Sequence, residues 1–262
     1  MSGVAVSIVT PTLNAERYLE ACLASVARQG VEVEHLLVDA GSTDRTLEMA
    51  RASVRVQVIE QRGSSQTQAI NVGLEQARGA VVAWLNADDM YADGALRFVV
   101  DRFAEEDNLD VLYGDCQVIG PNGEPLWFER PGTYDFRRLL RRGNYIAQPA
   151  AFVRRSVFER IGYLDESLVY AMDYDLWLRV RGLDVRYVPR SLAAFRWHVG
   201  SKSATSQLAG WREYLRIVRK HGGGWTPEMG WAYARLLLTL ARTKVSEVVT
   251  GSTPLRPLTR GT

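Results

Sequence analysis

Cysteine is scarce: Cys22 and Cys116 are the only two among 262 residues. Two thiols so far apart exclude a disulfide-stapled scaffold and give no thiolate set for structural zinc, so a reducing compartment is expected. Long apolar runs are missing too. A bilayer-crossing helix needs about 18 uninterrupted apolar residues, and the best candidate, 229–240, is broken by Arg235. The opening MSGVAVSIVTPTLN carries neither a basic n-region nor a long apolar h-region, so no secretory leader is expected. Charge of one sign is also lacking. With 32 Lys and Arg against 30 Asp and Glu the net charge is +2, which gives no global pull toward nucleic acid. These absences together point to a cytoplasmic protein.

What is present is an ordinary globular composition, 47% apolar and 24% charged, enough for one large domain with an extension. The first hundred residues alternate between short β-rich runs and helical periods. Strands are expected at 4–9, 34–38, 54–60 and 80–85. Helices are expected after Asn14, after Asp44, each capped by that residue, and over 67–77, with Gly79 as the stop. The run 80–85 is apolar throughout, as suits a parallel strand covered on both faces. Such a βαβα order predicts a mainly parallel sheet flanked by helices. Further strands are expected at 110–113, 148–153, 185–188 and 193–197, with a turn at Pro121-Asn122-Gly123. Helices are expected at 135–142, 156–161, 173–181, 211–220 and 227–249. The tail 251–262 is polar and proline-bearing, and disorder is expected there.

In open parallel sheets ligands gather beyond the carboxyl ends of the strands. TPTLN, DAGSTD and NADD each follow an expected strand, so all three should line one edge. The last sits in WLNADDM, where an apolar run stops at the adjacent acids Asp88 and Asp89. Carboxylate oxygens there suit Mg²⁺ or Mn²⁺, and an open site leaves positions for substrate phosphates. Either acid also suits a helix cap. Spacing leaves both readings open.

The segments IVTPTLNAERYLEACLASVARQ, LLVDAGSTDRTLEMA, SQTQAINVGLEQARGAVVAWLNADDMY, QPAAFVRRSVFERIGYLDESL and MDYDLWLRV run in order between about residues 5 and 203. Together they resemble the family 2 glycosyltransferases, inverting enzymes of the GT-A fold. The resemblance implies a nucleoside diphosphate sugar donor, uridine first among the nucleosides, a divalent cation (Mn²⁺ or Mg²⁺) and a hydroxyl acceptor. It implies that Asn86-Ala87-Asp88 stands at the family's DxD position, with Asp88 on the metal and Asn86 on the donor. Asn in place of the first acid removes one negative charge from that site. Asp39 matches an acid that takes a hydrogen bond from the base, and Thr10, Pro11 and Asn14 match the loop packed beside it. Gln66 joins the donor-binding set, and Asp89 and Gln148 are assigned to acceptor or sugar.

MDYDLWLRV places Asp173 and Asp175 in a first helical turn, where acids are favoured by the helix dipole. The resemblance implies that Asp173 is the general base, with Met172 replacing the usual preceding Glu. A sugar hydroxyl needs such a proton acceptor as it attacks. FRWHVGSKS resembles the family's R-x-H-x-x-S-x-S stretch, which implies His198 near the metal, with Arg196 and Lys202 able to meet donor phosphates.

Arg137, Arg138, Arg141 and Arg142 form a basic run that suits either a solvated helix face or an anionic, lipid-linked acceptor. The wide apolar face expected over 227–249 must be buried. The catalytic domain, a second subunit in a homodimer, or the inner face of the membrane would each serve. The expected division is a GT-A catalytic domain over 1–205, with a donor half to 115 and an acceptor half to 205, a helical extension over 206–250, and the tail. A nucleotidyltransferase lacks support, because TPTLNAER is not a glycine-rich basic loop. A glycoside hydrolase sets its two carboxylates across a bare sugar. A non-catalytic binding module is disfavoured by the presence of both Asp88 and Asp173.

Overall fold

The computed structural model describes residues 5–198, 207–231 and 234. In chain order the elements are β1 (Val6–Thr12), α1 (Glu16–Ala27), β2 (Val33–Asp39), α2 (Thr46–Ala52), β3 (Val56–Glu60), α3 (Gln66–Gln76), β4 (Val81–Trp84), β5 (Met90–Tyr91) and α4 (Ala95–Glu105). There follow β6 (Val111–Ile119), β7 (Pro125–Glu129), α5 (Phe136–Arg142), a 3₁₀ turn (Gln148–Ala150), β8 (Ala151–Arg154), α6 (Arg155–Ile161), α7 (Met172–Arg179), β9 (Val185–Arg196) and α8 (Gln207–Lys220).

The strands form one mixed sheet in the order β3-β2-β1-β4-β8-β6-β9-β5, with β7 paired to β6. Strands β1 to β4 are mutually parallel where they pair. Strand β8 runs antiparallel to both β4 and β6 and so joins the two ends of the sheet. The period of two along β4 explains its continuous apolar run. Val82 and Trp84 enter one core with α3, α5, α7 and α8, while Val81 and Ala83 enter the other with α1 and α4.

Several expected boundaries move for identifiable reasons. Strand β1 extends through TPT, because Thr12 pairs with Asp39 of β2. Gln148 lies in the 3₁₀ turn rather than in a strand. The two short strands expected at 185–188 and 193–197 are one, β9, whose register on β6 shifts around Asp115 and absorbs the polar PRS interruption. Gly79 does not end α3 by a left-handed turn: the helix closes at Ala77, and a Cβ at Gly79 would come within 2.5 Å of the Ser7 backbone nitrogen. That glycine lets the chain enter β4 against β1.

Asn14 is not the cap of α1. The cap position is Ala15, and Asn14 adopts φ +50° just before it. The first N–H groups of α1 are instead satisfied from the start of α2 and the loop before it, by Thr46 to Ala15 and by Asp44 to Glu16. At α2 the cap is Arg45, while Asp44 accepts from Thr46. Gln68 closes a reciprocal capping box with Ser65 at the start of α3.

The division expected at residue 115 falls inside β6, so the two halves share a sheet. Ile217, Val218 and Met229 are buried in the same cluster as Trp177, which docks the start of the helical extension on the α7 side of the sheet. Most of the helix expected over 227–249, the tail and Lys202 lie outside the described residues. No helix among the described residues is long and apolar enough to cross a membrane.

Candidate active site

The carboxyl ends of β1, β2 and β4 present three loops on one edge, and polar side chains stitch the first two together. Asp39 closes β2 and is 1% exposed. Its carboxylate accepts from Gly41 N, Ser42 N, Ser42 Oγ and Thr12 Oγ1 at 2.5–2.9 Å. Burial opposes ionisation of this group, but the Ser42 hydroxyl and the amides outweigh it and hold the carboxyl below its ordinary value. Asn14 spans from the first loop to the second, accepting from Thr43 N at 2.8 Å while its own N–H donates to Ser42 Oγ. Thr10, expected beside the base, faces inward instead. It is 0% exposed and its hydroxyl meets His35 Nε2 at 2.8 Å. Pro11 is buried within β1 opposite Val38.

Beyond β4 the chain turns on itself, with Asp89 N donating to Asn86 O. Gln66 Nε2 donates to Asn86 Oδ1 at 2.8 Å, and Asn86 Nδ2 donates to Asp89 Oδ2 at 3.2 Å. Gln148 donates to Trp84 O at 2.6 Å and offers its own oxygen to Asn86 Nδ2. These contacts fix the amide of Asn86 and give its departure from an acid a physical reason. Asp89 is 0% exposed, and a carboxylate at 86 would confront it without a donor. Burial, and then the charge of Asp88, push the Asp89 carboxyl well above its ordinary value. Asp89 is therefore an internal tie, held also by Arg196 N at 2.9 Å, and not an open sugar ligand.

Asp88 points the other way. Its carboxylate is partly exposed and its Oδ2 lies 2.9 Å from His198 Nε2. The His198 ring packs at 5.0 Å from Tyr18. Arg196 does not face outward to phosphate. At 4% exposure it donates to the carbonyls of Asp88, Gly120 and Pro121, and its guanidinium lies 4.7 Å over the Tyr18 ring. It is the post that holds the acidic turn against β9.

Asp173 lies in the first turn of α7, half-buried, and accepts from Asn144 Nδ2 at 2.7 Å. Helix α7 is brought to the β4 end by Trp177 stacking on Trp84, with ring centroids 6.4 Å apart. Thr67 and Asn71 of α3 tie the approach to α7 through Leu168 and Leu164. Asp175 is occupied elsewhere, fully buried between Arg179, Lys220 and His221. The basic run on α5 is half spent: Arg138 stacks on Tyr145 and Arg141 pairs with Glu228. An open cavity of about 560 Å³ beside Gly30, Arg55 and Arg97 lies at the opposite, amino ends of the strands. Asn144 and Tyr18 escaped sequence reading. Their partners are 29 and 180 positions away, so no local spacing marks them.

A mixed α/β sheet whose parallel strands end in three polar loops along one edge, with an acid on a helix packed against that edge, defines an α/β architecture with a ligand cleft at the carboxyl ends of its strands. The family model "Glycosyl transferase family 2" matches residues 7–162. The chain is 35% identical over 186 residues to a PGL/p-HBAD biosynthesis glycosyltransferase of Mycobacterium bovis, covering 68% of this chain and 70% of that one. Among solved structures it is similar to S. aureus TarS 1-349, at TM-score 0.62 and 21% identity, over 83% of this chain and only 65% of that one. The same protein in complex with UDP-GlcNAc aligns at TM-score 0.65 and 20% identity, over 93% of this chain and 73% of that one. This chain belongs to glycosyltransferase family 2 and has the GT-A fold.

Proposed function

We propose that this glycosyltransferase moves a sugar, with inversion, from a nucleoside diphosphate sugar to a hydroxyl of a saccharide or lipid-linked acceptor. The observation that carries the reading is the stacking of Trp177 on Trp84. It sets the helix of Asp173 against the strand that leads into Asn86-Ala87-Asp88. Asp173 takes the acceptor proton while the hydroxyl oxygen bonds to the anomeric carbon. The bond from that carbon to the diphosphate breaks, and its electron pair leaves on the diphosphate. Asp39 and Asn14 keep the base-side loops in one shape, and Gln66 and Gln148 fix Asn86.

The donor set fits a divalent cation. A partly exposed carboxylate and an imidazole in contact form an open pair rather than a closed cage, and among the described residues no group of three ligands occurs. The Asp88 carboxylate is the oxygen ligand that suits Mg²⁺ or Mn²⁺, with substrate oxygens completing the shell, and the imidazole is the softer member of the pair. Asp88 and His198 would hold it, and it would supply charge neutralisation for the departing diphosphate. The UDP-GlcNAc complex of TarS makes uridine the first nucleoside to try.

The test is a thermal-shift screen with UDP-, GDP- and dTDP-sugars and Mn²⁺, followed by turnover of Asp173→Asn. A donor that raises the melting point identifies the nucleotide. Asp173→Asn is expected to keep that shift and lose at least about a hundredfold in transfer. Near-normal transfer by the variant would remove Asp173 as the base.

A further inference from the structure

We infer that Asn144 is a positioning residue for the Asp173 carboxylate. This rests on the proposed role of Asp173. The amide has one orientation available to it. Asn144 Oδ1 accepts the Ile146 N–H at 3.2 Å, which turns Nδ2 toward Asp173 Oδ2 at 2.7 Å. The residue sits where it does because α5 ends at Gly143 with φ +94°, a conformation that favours glycine. A Cβ at Gly143 would stand 3.2 Å from the Tyr214 hydroxyl, so α8 packs directly on this turn. Tyr214 in turn stacks on Tyr174 of α7, ring centroids 4.9 Å apart, so the turn and the base are gauged from the same side chain.

A donor bound to a carboxylate favours the charged form and fixes its rotamer. Asn144 therefore keeps the Asp173 carboxylate aimed before the acceptor arrives. It does not touch the reacting atoms, and the proton still passes from the acceptor hydroxyl to Asp173.

Two variants separate this role from a structural one. Asn144→Ala removes the donor, while Asn144→Asp keeps the acceptor for Ile146 N and replaces the donor with a like charge. The readouts are the pH profile of nucleoside diphosphate release from UDP-, GDP- and dTDP-sugars in water, and the titration of ¹³C-labelled aspartate carboxyls in the free protein. Asp173→Asn identifies its resonance. We expect the acid limb and the Asp173 midpoint to rise together by about half a unit or more in Asn144→Ala, and further in Asn144→Asp. We also expect kcat to fall about tenfold with donor KM unchanged. Wild-type midpoints in both folded variants would overturn the inference even if Asp173→Asn is inactive. An active Asp173→Asn would instead overturn the reading of the base.

Discussion

At the residue scale the site is shaped by groups that keep their charge and groups that give it up. His35 belongs to the second kind. It is 4% exposed beneath β1, its Nε2 at 2.8 Å from Thr10 Oγ1, and burial lowers its pKa from 6.5 to about 4. Between those values the unfolded chain binds the proton that the folded chain refuses. The stabilisation is complete above pH 6.5, falls as pH drops, and is fully lost below about pH 4. Urea unfolding should therefore show a loss of about 2 kcal/mol from pH 7 to pH 5 due to this group. His35→Gln, which cannot take the proton, should flatten that part of the curve. An unchanged slope in the variant would show that His35 does not carry it.

At the element scale, helix α7 is also held at its amino end. The Glu213 carboxylate of α8 accepts the backbone N–H groups of Val169, Tyr170 and Ala171 at 2.8–3.1 Å. Ala171 is the cap residue, and Asp173 follows in the first turn. Charge-assisted bonds of this kind are worth about 1.5–3 kcal/mol each, and leaving buried donors unmet costs comparably. Glu213→Ala should cost about 2 kcal/mol and lower Tm by roughly 4–8 °C, with faster amide exchange confined to 169–173. A melting point and exchange pattern like the parent would refute the coupling of α8 to the base.

The same elements show what was legible in the sequence. Strands β1 to β4 were readable because their apolar runs and intervening helical periods are local patterns. NADD and DAGSTD fell at the correct edge through the strand-end rule. The directions of Thr10, Asp89 and Arg196 were not readable. Each depends on a partner from another element: His35, Asn86 and the Gly120 carbonyl. The cap of α1 failed for the same reason, since Asp44 and Thr46 reach it from the start of α2 and the loop before it.

At the scale of the molecule, the segments before and after residue 115 share one sheet. Strand β8 pairs with β4 at Val81 and Val82 and with β6 at Val111, Leu112 and Tyr113. The cluster around Trp84 draws Val9 and Leu36 from the first half, and Ala151, Trp177 and Ile217 from the remainder. A chain cut after residue 115 would end within β6 and keep β4 as a bare edge. It would also expose one apolar face of the parallel strands, and such an edge invites pairing with other chains. The whole protein should unfold in a single step, with far-ultraviolet dichroism and tryptophan fluorescence reporting the same midpoint. Residues 1–115 alone should show no cooperative transition and should aggregate. Two separated transitions in the whole chain, or a monomeric 1–115 with a sharp melt, would mean that the shared sheet does not bind the halves into one unit. In that case the contact of Trp84 with Trp177 would be an interface between domains, and the placement of Asp173 would vary with their docking.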